Sequence, residues 1–107
     1  MTYCTQNNCF VRGVASTVPP KIRLTSEFSD LVGDDGVRKF IKNVGVLQSH
    51  VTNDEMTTSD LCFSAANLII DRLGIERDSI DVLLFVSQTP DYIAPSTACV
   101  LQHRLGL

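Results

Sequence analysis

Cys99 and His103 stand four residues apart in TACVLQHRL, a stretch that reads as helix. That spacing puts a thiol and an imidazole on one face, within reach of a shared metal ion or a thiolate–imidazolium pair. The plainer reading is packing. Cys99 fits the small apolar face formed with Ala98 and Leu101, and His103 sits near a helix C-terminus, where the dipole tolerates it. The other thiols are Cys4, Cys9 and Cys62. Cys4 and Cys9 are C-x4-C and lie far in sequence from the rest, whereas structural zinc usually shows tight pairs such as C-x2-C. Cys9 opens a strand and Cys62 lies in a helix, so both are expected in the core. The thiols are expected to be reduced, since nothing indicates secretion and their spacing is irregular. No metal and no cofactor are expected.

Other chemistry is sparse. The glycines at 13, 33, 36, 45, 74 and 106 form neither G-x-G-x-x-G nor a Walker loop, so a nucleotide-phosphate cradle is unsupported. Lys21, Arg23, Arg38, Lys39 and Lys42 cluster within 22 positions, as a solvated helix face or a weak anion-facing patch. Ligands of open α/β sheets bind beyond the carboxyl ends of the strands. Here those ends are Ser16-Thr17, Thr52-Asn53 and Ser87-Gln88-Thr89, which carry hydroxyls and amides but no acid/base pair.

The elements that would position these groups alternate. Residues 9–16 (CFVRGVAS) are β-rich, and Pro19-Pro20 ends the strand because proline cannot donate to a ladder. Thr25 or Ser26 caps a short helix through Phe28, Leu31 and Val32 that Gly33 stops. Asp34-Asp35 starts a second helix carrying Val37, Phe40 and Ile41, closed by Gly45. Residues 46–52 (VLQSHVT) alternate as a strand with one wetter face, near an edge. Thr57-Thr58-Ser59-Asp60 resembles a capping box ahead of Leu61, Ala65, Leu68, Ile69 and Leu73, with Gly74 at the C-cap and Ile75 closing a Schellman-type contact. Five consecutive apolar residues, Val82 to Val86, suggest a strand buried on both faces, as in a parallel sheet covered by helices. Thr89-Pro90-Asp91 breaks it. Pro95 fits the first turn of a last helix that runs to Leu105, with Gly106 after it.

The pattern is βαβαβα, an α/β class. Residues 1–8 read as a tail and residues 9–107 as one incomplete domain, with Val82–Val86 as the central ladder and Phe10–Ala15 beside it. The next strand is expected just past Leu107, so the chain reads as the front of a longer domain. Composition agrees with a piece of one small globular unit: 107 residues, 44% hydrophobic, with 9 Lys+Arg against 12 Asp+Glu for a net charge of −3. Mean hydropathy is +0.12 and the sequence pI about 5.1. That charge disfavours duplex nucleic acid as a partner. No apolar run approaches the roughly 20 residues that span a bilayer. The polar MTYCTQNNCF start is unlike a secretory signal, so no membrane contact is expected and the compartment is read as cytoplasmic.

From Cys9 onward the chain resembles the N-terminal part of a β-ketoacyl-acyl-carrier-protein synthase III, of the thiolase superfamily. RGVASTVPPK (12–21) resembles that family's first strand and loop, and NVGV (43–46) its glycine turn into the second strand. MTTSDLCFSAANLIIDRLGI (56–75) resembles its long second helix. IDVLLFVSQTPDYIAPSTACVLQHRLGL (80–107) resembles its third strand, the loop after it and the Pro-Ser-x-x-Cys helix; this last segment is the most specific. The resemblance implies a thiolase-like fold, layered α/β/α with a mostly parallel sheet, of which this chain is the N-terminal portion.

It further implies an acyltransferase that condenses an acyl primer with malonyl-carrier protein, in fatty-acid or related lipid and secondary-metabolite synthesis. A cysteine attacks the primer thioester; decarboxylation of the malonyl unit gives the carbanion; a His and an Asn stabilise the oxyanion. The family's nucleophile follows a point matching Leu107, and its His and Asn come later. No catalytic residue is therefore expected in this chain, which alone should be inert, and Cys99 matches a helix cysteine that is not the nucleophile. The implied partners are an acyl thioester, an acyl carrier protein and a second subunit in a homodimer.

Three positions depart from the family pattern. Many members place a Trp and an Arg before the glycine turn, against the adenine end of coenzyme A. Lys39 and Asn43 stand there, and neither stacks like indole nor pairs phosphate as Arg does, which argues against acetyl-coenzyme A as primer. An aromatic residue often precedes the Pro-Ser, capping the partner subunit's acyl pocket. Ala94 stands there, implying room for a longer or bulkier acyl group. A 3-hydroxy-3-methylglutaryl-coenzyme A synthase, with a catalytic Glu before its Cys, and a non-catalytic α/β protein-binding module are the rival readings.

Overall fold

The computed structural model describes residue 5 and residues 7–107; Cys4 lies outside the described residues. Backbone order follows local signals closely in the helices. Helix α1 (Ser29–Val44) is broken at Gly33, whose φ of 71° and ψ of 161° are non-helical. A positive φ is open to glycine and strained for other residues. The expected stop and restart around Gly33 and Asp34 is thus realised as a kink inside one helical run. Gly45 ends α1, accepting the left-handed conformation while its N–H bonds the Ile41 carbonyl.

Helix α2 (Thr58–Leu73) starts where the capping pattern places it, with Thr57 at the N-cap and Asp60 at the third helical position. It ends in a Schellman motif: Ile75 N–H donates to the Ile70 carbonyl at 3.0 Å past a left-handed Gly74. A 3-10 turn (Arg77–Ser79) follows. Helix α3 (Thr97–Leu105) begins two residues later than expected, with Ser96 as N-cap and Pro95 outside it.

The strands depart from expectation more. Strand β1 (Lys21–Leu24) lies in a stretch the sequence reading left unassigned, and a 3-10 turn (Thr25–Phe28) leads from it into α1. It pairs antiparallel with β2 (Gln48–Val51), Lys21 opposite Val51 and Leu24 opposite Gln48. Thr25 is not the expected helix cap. Its N–H donates to the Leu47 carbonyl at 2.9 Å and its hydroxyl to the Val46 carbonyl at 2.8 Å, extending the ribbon by one step.

Residues 9–16 and 82–86 join no ladder among the described residues, so the expected central ladder is absent here and the ladder that does form is antiparallel. The reason is non-local. A strand is completed by a partner backbone about 4.8 Å away, and none of the described residues supplies one. Both segments keep other marks of strand. Leu83, Phe85 and Ser87 are half-buried, while Val82, Leu84 and Val86 between them are 72%, 85% and 93% exposed. The period is two, but one face is covered, not both. Gly13 seats its segment on α2 so closely that a Cβ there would lie 2.9 Å from Leu73 Cδ1.

The core is correspondingly small. Val37, Ile70, Leu101 and Leu105 are the buried hydrophobic residues among those described. The radius of gyration is 18.6 Å, against about 13 Å for a compact 100-residue domain. The packing is that of a piece of a larger fold.

Candidate functional site

Polar groups converge where the loop after residue 88 meets the start of α2. Four N–H groups at a helix start lack intrahelical partners and carry partial positive charge, so carboxylates are favoured there. Two arrive. Asp60, on the first turn, accepts the Thr57 N–H at 3.0 Å. Asp91 comes from the loop: its Oδ2 accepts the Thr57 hydroxyl at 2.7 Å and its Oδ1 the Ser59 N–H at 3.3 Å. Arg104 of α3 closes the cluster, donating to Asp60 Oδ1 at 2.7 Å and to Ser59 Oγ at 3.1 Å, with its guanidinium 4.6 Å from the Phe63 ring centroid. Ser59 is 1% exposed, so its hydroxyl needs that partner.

The electrostatics follow. The Thr57 backbone N–H, then Arg104, hold the Asp60 carboxyl below its ordinary value. Burial pushes the Asp91 carboxyl up, but hydrogen bonds from Ser59 and Thr57 outweigh it and leave it below the ordinary value. Both are charged at neutral pH and held by donors, an arrangement suited to anchoring and not to proton transfer.

The loop runs from this anchor to α3. The Thr97 hydroxyl, 2% exposed as a residue, accepts the Tyr92 N–H at 3.2 Å and faces the Tyr92 carbonyl at 3.3 Å. Between these ties Ile93 is 98% exposed, and Ala94 beside it is exposed. Lys39 and Asn43 are exposed one turn apart on α1. Ala94 is carried by a different unit: α1 packs on the 3-10 turn after β1, and α3 packs on α2.

The thiols are less buried than their apolar sequence neighbours suggest. Cys9 and Cys99 are exposed and Cys62 half-buried, which corrects the core reading for the first two. Cys99 projects off the α2-facing side of α3, where Leu101 and Leu105 are buried, and its Sγ lies 3.3 Å from Ser96 Oγ. No group of three or more metal-ligating side chains is present among the described residues. No helix among them is long and apolar enough to cross a membrane.

No family model matches the chain. Among curated proteins, it is 37% identical over 97 residues to the β-ketoacyl-[acyl-carrier-protein] synthase III of Sulfurovum sp. (strain NBC37-1). That match takes in 90% of this chain and 28% of the relative. The crystal structure of a 3-oxoacyl-(acyl-carrier protein) synthase from Burkholderia xenovorans LB400 superposes with a TM-score of 0.80 at 37% identity, over 88% of this chain and 28% of that one. Over nearly its whole length the chain is similar to part of a β-ketoacyl-acyl-carrier-protein synthase III. A second solved 3-oxoacyl-(acyl-carrier-protein) synthase III gives a TM-score of 0.76 at 27% identity, over 89% of this chain and 28% of the other. The fold is therefore the thiolase-like α/β class read from the sequence, represented by a fragment of the larger synthase fold. The chain spans just over a quarter of the synthase length, which accounts for its small core.

The sequence reading missed the Asp91–Thr57–Arg104 cluster. Thr89-Pro90-Asp91 reads locally as a strand breaker, and the sequence reading did not single out Arg104. The available signal was an acidic residue in a loop preceding a helix, which alone does not say which helix start it reaches.

Proposed function

We propose that residues 9–107 form the incomplete N-terminal domain of a condensing enzyme of 3-oxoacyl-acyl-carrier-protein synthase III type. The enzyme joins an acyl primer to the carbanion left when malonyl-carrier protein loses carbon dioxide. The observation that carries this is the 37% identity sustained over 90% of the chain. The catalytic Cys, His and Asn lie in the remainder of the enzyme, which works as a cytoplasmic homodimer on an acyl thioester and an acyl carrier protein.

The test is product formation from acyl primers and malonyl-carrier protein. The 107-residue chain alone should give none above a no-protein control. The complete enzyme carrying it should form the 3-oxoacyl product. Turnover by the chain alone, or a complete enzyme inert toward every primer, would overturn the reading.

Lys39 and Asn43 mark the coenzyme A mouth in this reading, and Ala94 the acyl-pocket lid. Their exposure on the surface fits groups that meet a ligand or a second subunit. With Ala94 in place of a ring, space opens for extra methylenes, each worth about 0.8 kcal/mol when buried. Ala94→Phe in the complete enzyme should cut turnover of long or branched primers several-fold and spare acetyl. Equal loss for both primer classes would remove Ala94 from the pocket.

A further inference from the structure

Ile93 and Ala94 stand in solvent, so their own side chains do little to hold the loop that carries them. What fixes that loop must act at its base. On the α3 side the tie is local: Thr97 reaches back to Tyr92, only five residues away. On the α2 side, three side-chain contacts join the loop to the helix start across more than thirty residues. Two belong to one carboxylate, that of Asp91. The third, between the Thr58 and Thr89 hydroxyls, is 3.4 Å long.

From this geometry we infer that Asp91 is the positioning residue of the 92–96 loop, locking it to the first turn of α2 and thereby setting where Ala94 sits; the effect on acyl selection rests on the condensing-enzyme reading above. The chain of action is short. Asp91 accepts from Thr57 and Ser59, whose helix turn is itself held to α3 by Arg104 through Asp60 and Ser59. The loop is thus tied at one base to α2 and at the other to α3, and the two helices are clamped to each other beneath it. Any displacement of Asp91 moves the loop against both.

Amide hydrogen exchange tests the anchor without any need for activity. In Asp91→Ala, the Tyr92 amide, which donates to the Thr97 hydroxyl at the base of the loop, should exchange about ten-fold faster, while those of Val100–Leu105 stay unchanged. Asp91→Asn should restore most of the protection, because its carbonyl oxygen still accepts from Ser59. Unchanged exchange in the loop, or an equal rise throughout the chain, would overturn the anchor. In the complete enzyme, Ala94→Phe is then measured in the wild-type and Asp91→Ala backgrounds. The discrimination it creates between long and short primers should fall by at least half once Asp91 is removed. Faster loop exchange with undiminished discrimination would leave the anchor standing and remove Ala94 from the acyl pocket.

Discussion

Helices α2 and α3 pack on each other and hold Ile70, Leu101 and Leu105 at 4% exposure or less, and the Asp91–Thr57–Ser59–Arg104 hydrogen bonds tie the start of α2 to α3 and to the loop before it. The ribbon of β1 and β2 with α1 is built differently. It buries Val37 and Thr25, and between its layers an apolar hollow of about 550 Å³ stands open, lined by residues such as Phe28, Leu31, Val32 and Phe40. Leu31 is 79% exposed and Phe40 45%. Both regions carry clear helix signals, so the contrast does not come from local propensity. It comes from whether the covering partner lies within these residues. A helix face is stabilised by what it packs on more than by its own hydrogen bonds. The first region already has its partner, and in the second the apolar lining still faces water.

Truncation should expose this difference most strongly. Leu101→Ala should cost about 2–5 kcal/mol of unfolding free energy in urea titrations, because it opens a cavity in packed surroundings. Leu31→Ala should change stability by no more than about 0.5 kcal/mol. Similar costs at the two positions would show that the ribbon region is as well packed as the helix pair.

A second probe asks how firmly the strand-like segment at Gly13 sits on α2. A Cβ at that position would meet Leu73 Cδ1 at 2.9 Å and Ile69 Cδ1 at 3.1 Å. Gly13→Val should therefore destabilise by about 1 kcal/mol at most, because the ends of the Leu73 and Ile69 side chains must turn aside but Leu73 is part-exposed and free to do so. A neutral outcome would detach residues 9–16 from the α2–α3 unit.

The smallest expected effect is pH dependence of the α2 start. Asp60 and Asp91 both have folded pKa values below their ordinary ones. Their contribution is therefore fully present above about pH 4 and lost as pH falls through the depressed folded values. Exchange at the first-turn amides of α2 should accelerate below about pH 4 beyond the intrinsic rate change, and Asp91→Asn should reduce that excess. Acceleration beyond the intrinsic rate on raising the pH instead would reverse the assigned sign.

The C-terminal ends of the helices and the start of α2 were legible residue by residue. Gly33 and Gly74 hold backbone conformations that strain other side chains, so each breaks or ends a helix whatever surrounds it. Asp60 three residues after Thr57 marks the start of α2 for an equally local reason: a carboxylate at that spacing reaches the Thr57 N–H. The synthase resemblance was also legible, because it rests on the order and spacing of segments along the chain.

Tertiary structure alone decided the rest. Whether Val82–Val86 is laddered depends on a neighbouring backbone that its own residues do not specify, and KIRL (21–24) becomes a strand because residues 48–51 lie against it. Cys99 is exposed although its neighbours are apolar, since α3 turns only the Leu101 and Leu105 face inward. Asp91 meets Thr57 and Ser59 across more than thirty residues. Sequence carries the reach and chemistry of each side chain; only the packing of α3 on α2 brings those three groups within a hydrogen bond of one another.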